Sequence, residues 1–567
     1  MKRTVIVVVI LVVLIALVVS RTRAPRRAPA NASAHDAGHV TAPAAPAART
    51  SLFGDLGAYH REIKTANADA QKFFDEGLTL LYGFNHEESF KSFELAASKD
   101  TAAPMPHWGM ALALGTNIND TAPADRLKQG YTHLAEAQKR KAAGSDVEQG
   151  LIDALAKRYV ADPTGDQMVR ERAYSDAMAA LAKKFPDDLD VATLYAESLM
   201  NLRPWRLYTK DGTPEPGTNN IVAALESVMK RNPNHPGANH YYIHAVEASK
   251  TPDRALVQAG RLETLVPGAG HLVHMPAHIY IRTGQYARSA KSNADGAAID
   301  EKYIKQTGAN GLYPMMYYSH NLQFESAAAM YAGSLAQARA AAQRTEQHVD
   351  PLADQMVMIE PFALQDQTVL VRFGQWTDVL AVKPPKPTRV FQTALYHFGH
   401  GAALAATGKV SEAEAALAAM KAAGEKLPKD AMLGPSNSAG DVVAVAIADL
   451  TARIADAKGD TAGAIKGFTA AVAAEDHLGY NEPPDWLLPE RERLGALLLK
   501  AGRHAEAEKV FRADLAKNVG NPRSLYGLYR ALDGQKKSAA TETRAQFEKA
   551  WAGADVTLAD DLYGTRR

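Results

Sequence analysis

Two histidine pairs recur at a fixed interval: His240 and His244 in NHYYIHAVE, then His274 and His278 in HMPAHIYIRTG, each residue separated from its counterpart by 34 positions. Such an interval holds two helices and a turn, a unit too small to bury its own apolar face, so successive units must stack to make a core. The two pairs therefore fall side by side on neighbouring helices.

The same interval is legible elsewhere. Gly495, Ala507 and Phe511 form a small, small, large series that restarts at Gly527, and Gly77, Ser89, Phe93 and Ala96 form another ahead of HWGMALALG. Ala452, Ala464, Phe468 and Ala471 give a third series, Gly401, Ala413 and Leu417 a fourth, and Ala255, Leu262 and Pro267 a fifth in the histidine region. Small residues let paired helices approach closely, and Gly284, Gly333, Gly408, Gly459 and Gly502 stand where turns between them are expected. The stretch 401–421 is rich in Ala, Leu and Glu at helical spacing, and no run reads as a sustained strand.

On these residues the chain resembles the tetratricopeptide repeat family over most of its length. The resemblance implies an all-α, right-handed superhelical solenoid of tandem helix-turn-helix repeats, with the first helix of each pair lining a concave groove. Phrases such as NPNHPGANHYYIHAVEAS, YGFNHEESFKSFELAA and YNEPPDWLLPERERLGALLLKAGRHAEAEKVFR further resemble a large, mostly uncharacterised group of exported bacterial tetratricopeptide proteins, over about residues 56–535. That likeness implies an extracytoplasmic body and carries no reaction with it.

The N-terminus, MKRT followed by an apolar run from Val5 to Val19 and the basic stretch RTRAPRR, reads as an uncleaved signal anchor or transmembrane helix over 1–22. An Ala/Pro-rich tether is expected over 23–55, with His35 and His39 solvated in it, and the solenoid over 56–567. Basic residues on both flanks of the run leave orientation open under the positive-inside rule, and the overall layout favours a body outside the cytoplasm. With 64 basic and 63 acidic residues the chain offers no field to recruit nucleic acid. No cysteine is present, which removes disulfides and thiolate ligands from consideration.

Carrying the repeat register through the histidine region aims His240, His244, His271, His274, His278, His320 and Glu247 into the groove. Imidazoles at i and i+4 share a helix face at roughly 5–6 Å, close enough to share one cation. Packed helices sit about 8–10 Å apart, so the second pair could complete an all-imidazole site. Such ligands, with Glu247 as an optional carboxylate, suit Zn, Cu, Ni or Fe and not a hard cation wanting more oxygens. The plainer reading is a polar wall in which the imidazoles, flanked by Tyr241, Tyr242 and Tyr280, bond one another and backbone carbonyls.

Other histidines read as structural: His397 and His400 as buried and hydrogen-bonded, His86 as a cap or a partner of backbone at a turn, His107 as a neighbour of core Trp108. Two Pro-rich insertions interrupt the repeats. One presents Arg203, Trp205 and Arg206, the other Glu482, Asp485 and Trp486, and either could lid the groove or merely shape a turn. No hydrolase, metalloprotease, P-loop or dinucleotide fingerprint appears in a suitable context.

The expected function is therefore a membrane-tethered solenoid that binds a peptide or small polar ligand through a histidine-lined groove with a transition metal, losing affinity on acidification below about pH 6. A metal-dependent enzyme and a pure envelope scaffold are the alternatives. The apparent lack of a second carboxylate near the pairs favours binding, and a pocket closed by the insertions would favour catalysis.

Overall fold

The computed structural model describes residues 51–354, 357–558 and 565–566. The expected anchor and most of the tether, including His35 and His39, lie outside them. Among the described residues no helix is long and apolar enough to cross a membrane.

Helices follow one another in pairs from Ala68–Tyr82 with His86–Lys99 to Pro522–Gly534 with Ala539–Ala550, each helix packing on its neighbours in sequence. The strand content among the described residues is a two-residue antiparallel ladder, Thr557–Leu558 with Thr565–Arg566. The five glycines expected in turns all take positive φ, between 71° and 81°, a backbone conformation that only glycine adopts without penalty. Phe511 shows why the first helices carry small residues: its ring sits where a Cβ on either Gly495 or Gly527 would fall. Phe93 occupies the same place against Gly77 and Gly109, where an added Cβ would lie 2.8 and 2.6 Å from the ring. This is helix packing of the tetratricopeptide kind, read from the contacts themselves.

Contacts far apart in sequence set the curl of the array. The first helix of the first pair, Ala68–Tyr82, meets the first helix of a pair much further along, Pro236–Val246. Gly237 permits this, since any side chain there would enter the Tyr82 ring. Tyr82 is held by Asp190, its hydroxyl donating to Oδ1 at 2.6 Å, and Arg61 donates to both Asp190 and Asp188 at 2.8 and 2.9 Å. Residues just before the first helix also join the body: the Gly268 amide donates to the Asp55 carbonyl at 2.8 Å.

The C-terminal pairs return onto the middle in the same way. The Tyr286 hydroxyl donates to the Val519 carbonyl at 2.9 Å, the Leu335 amide to Asp555 at 2.7 Å, and buried Arg372 pairs with Glu492 at 2.7 Å. Both ends of the array thus fold over the histidine repeats.

Candidate metal centre

Local sequence positions the histidines on three first helices. The Pro236–Val246 helix starts with proline at its first turn and with His235 as cap, whose Nδ1 accepts from the Ala238 amide at 3.2 Å. The next first helix is split by Pro276, which lacks an amide proton, into Gly270–His274 and Pro276–Arg282. His271 and His274 lie on one piece and His278 on the other. The third, Ser319–Ala332, is preceded by a π-helical turn, Pro314–Tyr318, a distortion that often accompanies functional sites. It sets Tyr317 against His271, ring centroids 4.7 Å apart, and His320 against His274 at 4.9 Å.

All seven residues expected at the site come together. They do so in the interior, which corrects the expectation of an open groove. His240 and His274 are fully buried, His244, His271, His278 and Glu247 at most 5 % exposed, and His320 alone is half-buried. The cause is the curl of the array, which lays Phe84 over His240, His244 and His271 with centroids 4.5, 5.9 and 5.5 Å apart.

Three of the six Nδ1 atoms are engaged on the outside of the cluster. That of His240 donates to the Tyr82 carbonyl at 2.5 Å, that of His274 to Asn293 Oδ1 at 2.5 Å, and that of His244 to Glu247 Oε1 at 2.9 Å. The acceptors fix the tautomers: a carbonyl or carboxylate oxygen cannot donate, so each of these rings presents an Nε2 lone pair inward. The Asn293 amide is oriented by its own bond from Nδ2 to the Ser289 carbonyl at 2.8 Å. Inside, His240 and His271 bring their Nε2 atoms to 3.2 Å, and His274 and His278 bring theirs to 2.9 Å.

Glu482 is the second carboxylate that the repeat register did not reveal. It reaches in from the C-terminal Pro-rich insertion, and its Oε2 lies 3.0 Å from His278 Nδ1, with Glu247 Oε2 at 2.6 Å from the same nitrogen. These are ion-pair distances without the alignment of a hydrogen bond: all three atoms are buried with no aligned partner, as are His244 Nε2 and His271 Nδ1. The other insertion contributes Trp205, its ring 6.0 Å from that of His244 and its Nε1 donating to Asn119 at 3.1 Å. Both insertions therefore converge on the cluster. Asp485 and Trp486 do not join it: Asp485 accepts from Asn437 and Asn481, and Trp486 packs on Phe398. Arg203 pairs with Glu215, and Arg206 is exposed.

Burial and the neighbouring imidazoles hold His240, His271 and His274 well below the ordinary histidine range, and burial takes His320 down to about 3. These rings are neutral at physiological pH, each with one nitrogen lone pair free to accept. His278 moves upward because Glu247 and Glu482 beside Nδ1 outweigh its burial, and Glu247 moves down because His278 and His244 outweigh its own.

The remaining histidines differ in part from expectation. Of the two roles expected for His86 it takes the second, bonding backbone at Ala113, while Asn85 caps the helix and accepts from the Glu88 amide at 3.3 Å. His397 and His400 are half-buried beside Tyr396, and His400 Nδ1 has no partner, so a fully buried, bonded pair is not what forms. The flanking Tyr242 and Tyr280 turn outward, to Glu226 and Glu263, while the imidazoles bond one another and the Tyr82 carbonyl.

Fold and site together define a curled array of helix pairs that encloses a histidine and carboxylate centre. No protein-family profile and no curated protein matches the chain. Solved structures that align along it include the human IFIT1 dimer with m7Gppp-AAAA, at 12 % identity over 86 % of this chain and 90 % of that one, TM-score 0.29. Others are the APC/C hetero-tetramer Cut9–Hcn1, at 10 % identity over 89 % and 77 % with TM-score 0.29, and the P58(IPK) TPR domain, at 11 % over 83 % and 99 % with TM-score 0.21. At such scores the fold assignment rests on the helix pairs described above.

Proposed function

We propose that this chain is a transition-metal protein whose centre acts on a small polar ligand, with the helical array as its housing. One observation carries the reading: five buried nitrogen and oxygen atoms without an aligned partner, on His244, Glu247, His271, His278 and Glu482, are gathered in one cluster. Three of them, His278 Nδ1 with the Glu247 and Glu482 oxygens, face one another at ion-pair distance, and His244 Nε2 and His271 Nδ1 are left over; buried polar atoms are nearly always hydrogen-bonded, and a cation suits such a gathering. Imidazole nitrogens backed by carboxylates suit Zn, Cu, Ni or Fe. Three sets of side chains offer ligand atoms within 4.8 Å of one another: His240, His244 and His271; His274, His278 and His320; Glu247, His278 and Glu482.

The enclosure favours a small ligand over a peptide laid along a groove. It also moves the balance toward catalysis, because Glu482 supplies a second carboxylate and the insertions close over the histidines. A carboxylate that holds an imidazole Nδ1–H makes that ring a better ligand, the role of Glu247 toward His244. Attachment to a membrane through residues 1–22, an extracytoplasmic body and kinship with exported bacterial repeat proteins belong to the same proposal and rest on the sequence.

The test is elemental analysis of the full chain purified without a histidine tag, beside its His240→Ala, His244→Ala, His274→Ala, His278→Ala quadruple variant. Near-stoichiometric Zn, Cu, Ni or Fe in the native chain and none in the variant is the expected result. A native chain free of metal even after reconstitution would leave a structural wall or a metal-free pocket.

A further inference from the structure

Six imidazoles are more than one ion of this class ordinarily takes, and they are not evenly arranged. The ligand atoms of His240, His244 and His271 lie within 4.8 Å of one another, and so do those of His274, His278 and His320. Two nitrogen pairs in hydrogen-bond geometry each fall within one set, 3.2 Å for His240 and His271 and 2.9 Å for His274 and His278. At a metal–nitrogen bond of about 2.0–2.1 Å, ligands at a right angle sit ~2.9 Å apart and ligands at the tetrahedral angle ~3.4 Å apart. Both observed pairs therefore have the separation of two nitrogens on one ion. Ring centroids do not by themselves separate the sets, since His271 with His274 and His244 with His278 are 5.5 and 5.6 Å apart across them while His244 with His271 and His278 with His320 are 6.3 and 5.7 Å apart within them; the division lies in the ligand atoms.

The carboxylates follow the same division. Glu247 lies between the sets, with Oε1 2.9 Å from His244 Nδ1 and Oε2 2.6 Å from His278 Nδ1. It thus backs one ligand of each set from a single side chain, and Glu482 adds to the second. Of the positive charge that two buried carboxylates close together need, Arg282 supplies part from 3.8 Å beside Glu482, and divalent ions would supply the rest.

We propose that the centre is dinuclear, one transition-metal ion held by His240, His244 and His271 and a second by His274, His278 and His320, with Glu247 orienting a ligand of each. The proposal rests on the metal reading above and adds the number and partition of the ions. Three imidazoles per ion leave a coordination position on each for a small ligand.

Stepwise Co(II) loading of the metal-stripped full chain, followed by visible absorption, tests it without any substitution. Saturation at two equivalents is expected. Saturation at one would overturn the dinuclear centre and leave the metal reading intact, and no uptake would overturn both. Two double variants then assign the ions: His240→Ala with His271→Ala, and His274→Ala with His320→Ala, each expected to bind one equivalent with native helicity by circular dichroism. Loss of both equivalents from either folded double variant would show a shared single cluster and refute the partition. Should the variants unfold, electron paramagnetic resonance of the unmodified Cu(II)-loaded chain decides: coupled spins at two equivalents support the pair, and two independent signals overturn it.

Discussion

At the scale of single residues, the centre is an exercise in fixing lone pairs. Backbone, amide and carboxylate acceptors hold Nδ1 of His240, His274 and His244, so Nε2 has one direction left. Replacing Glu482 by Gln should weaken metal binding about 10- to 100-fold, the usual cost of losing a group that orients a ligand, and competition with a chromophoric chelator reads this directly. A second residue-scale prediction concerns Asp300, buried and accepting from Tyr313 at 2.9 Å and Asn321 at 2.8 Å. Burial lifts its carboxyl from 3.8 to about 7. Between these values the folded state holds a proton that the unfolded state has released, so stability is full below about pH 4 and declines as pH rises to about 7, by roughly 4 kcal/mol at most. Urea unfolding of Asp300→Asn across that window should lose this slope, and an unchanged slope would assign it to other groups.

Elements differ in how much of themselves the sequence displayed. The turn glycines and the small residues facing Phe511 and Phe93 were legible because they serve contacts within a helix pair or with the next one, inside the repeat interval. Gly237 was not, because the ring it admits, Tyr82, belongs to a helix more than a hundred residues earlier. Gly237→Ala should therefore overpack that crossing, costing about 1–3 kcal/mol in urea unfolding and lowering metal content with it. Gly260 is the counterpart: it lies within the Leu256–Leu265 helix, and an added Cβ meets nothing within 4 Å. Gly260→Ala should stabilise the chain by roughly 0.4–1 kcal/mol through helix propensity and loss of unfolded-state freedom, measured in the same assay. Glu482 shows the opposite limit of reading by register: it sits on a Pro-rich insertion, outside any repeat, and nothing in its local sequence says that it faces His278.

For the whole molecule, the curl decides what kind of site this is. A straight array would leave the histidines on an open concave surface, suited to a peptide. Here the first helix pair and both insertions close over them, and the histidines themselves come from three successive pairs. Metal occupancy should therefore stabilise the entire array and not one repeat. At an ion concentration a hundred times the dissociation constant the gain is about 2.7 kcal/mol, so adding a strong chelator should lower the melting temperature of the native chain and leave that of the quadruple histidine variant unchanged.

The sequence by itself determined the helix pairs, their interval, the absence of thiolate chemistry and the set of histidines that share a register, because each depends on contacts between residues near one another in the chain or on composition alone. Tertiary structure decided that those histidines are enclosed and that Tyr82, Phe84, Asn293, Tyr317 and Glu482 surround them. The reason is geometric: a small rotation at each repeat accumulates along the array, so which distant residues meet depends on the sum of many packing angles, and no single repeat encodes that sum.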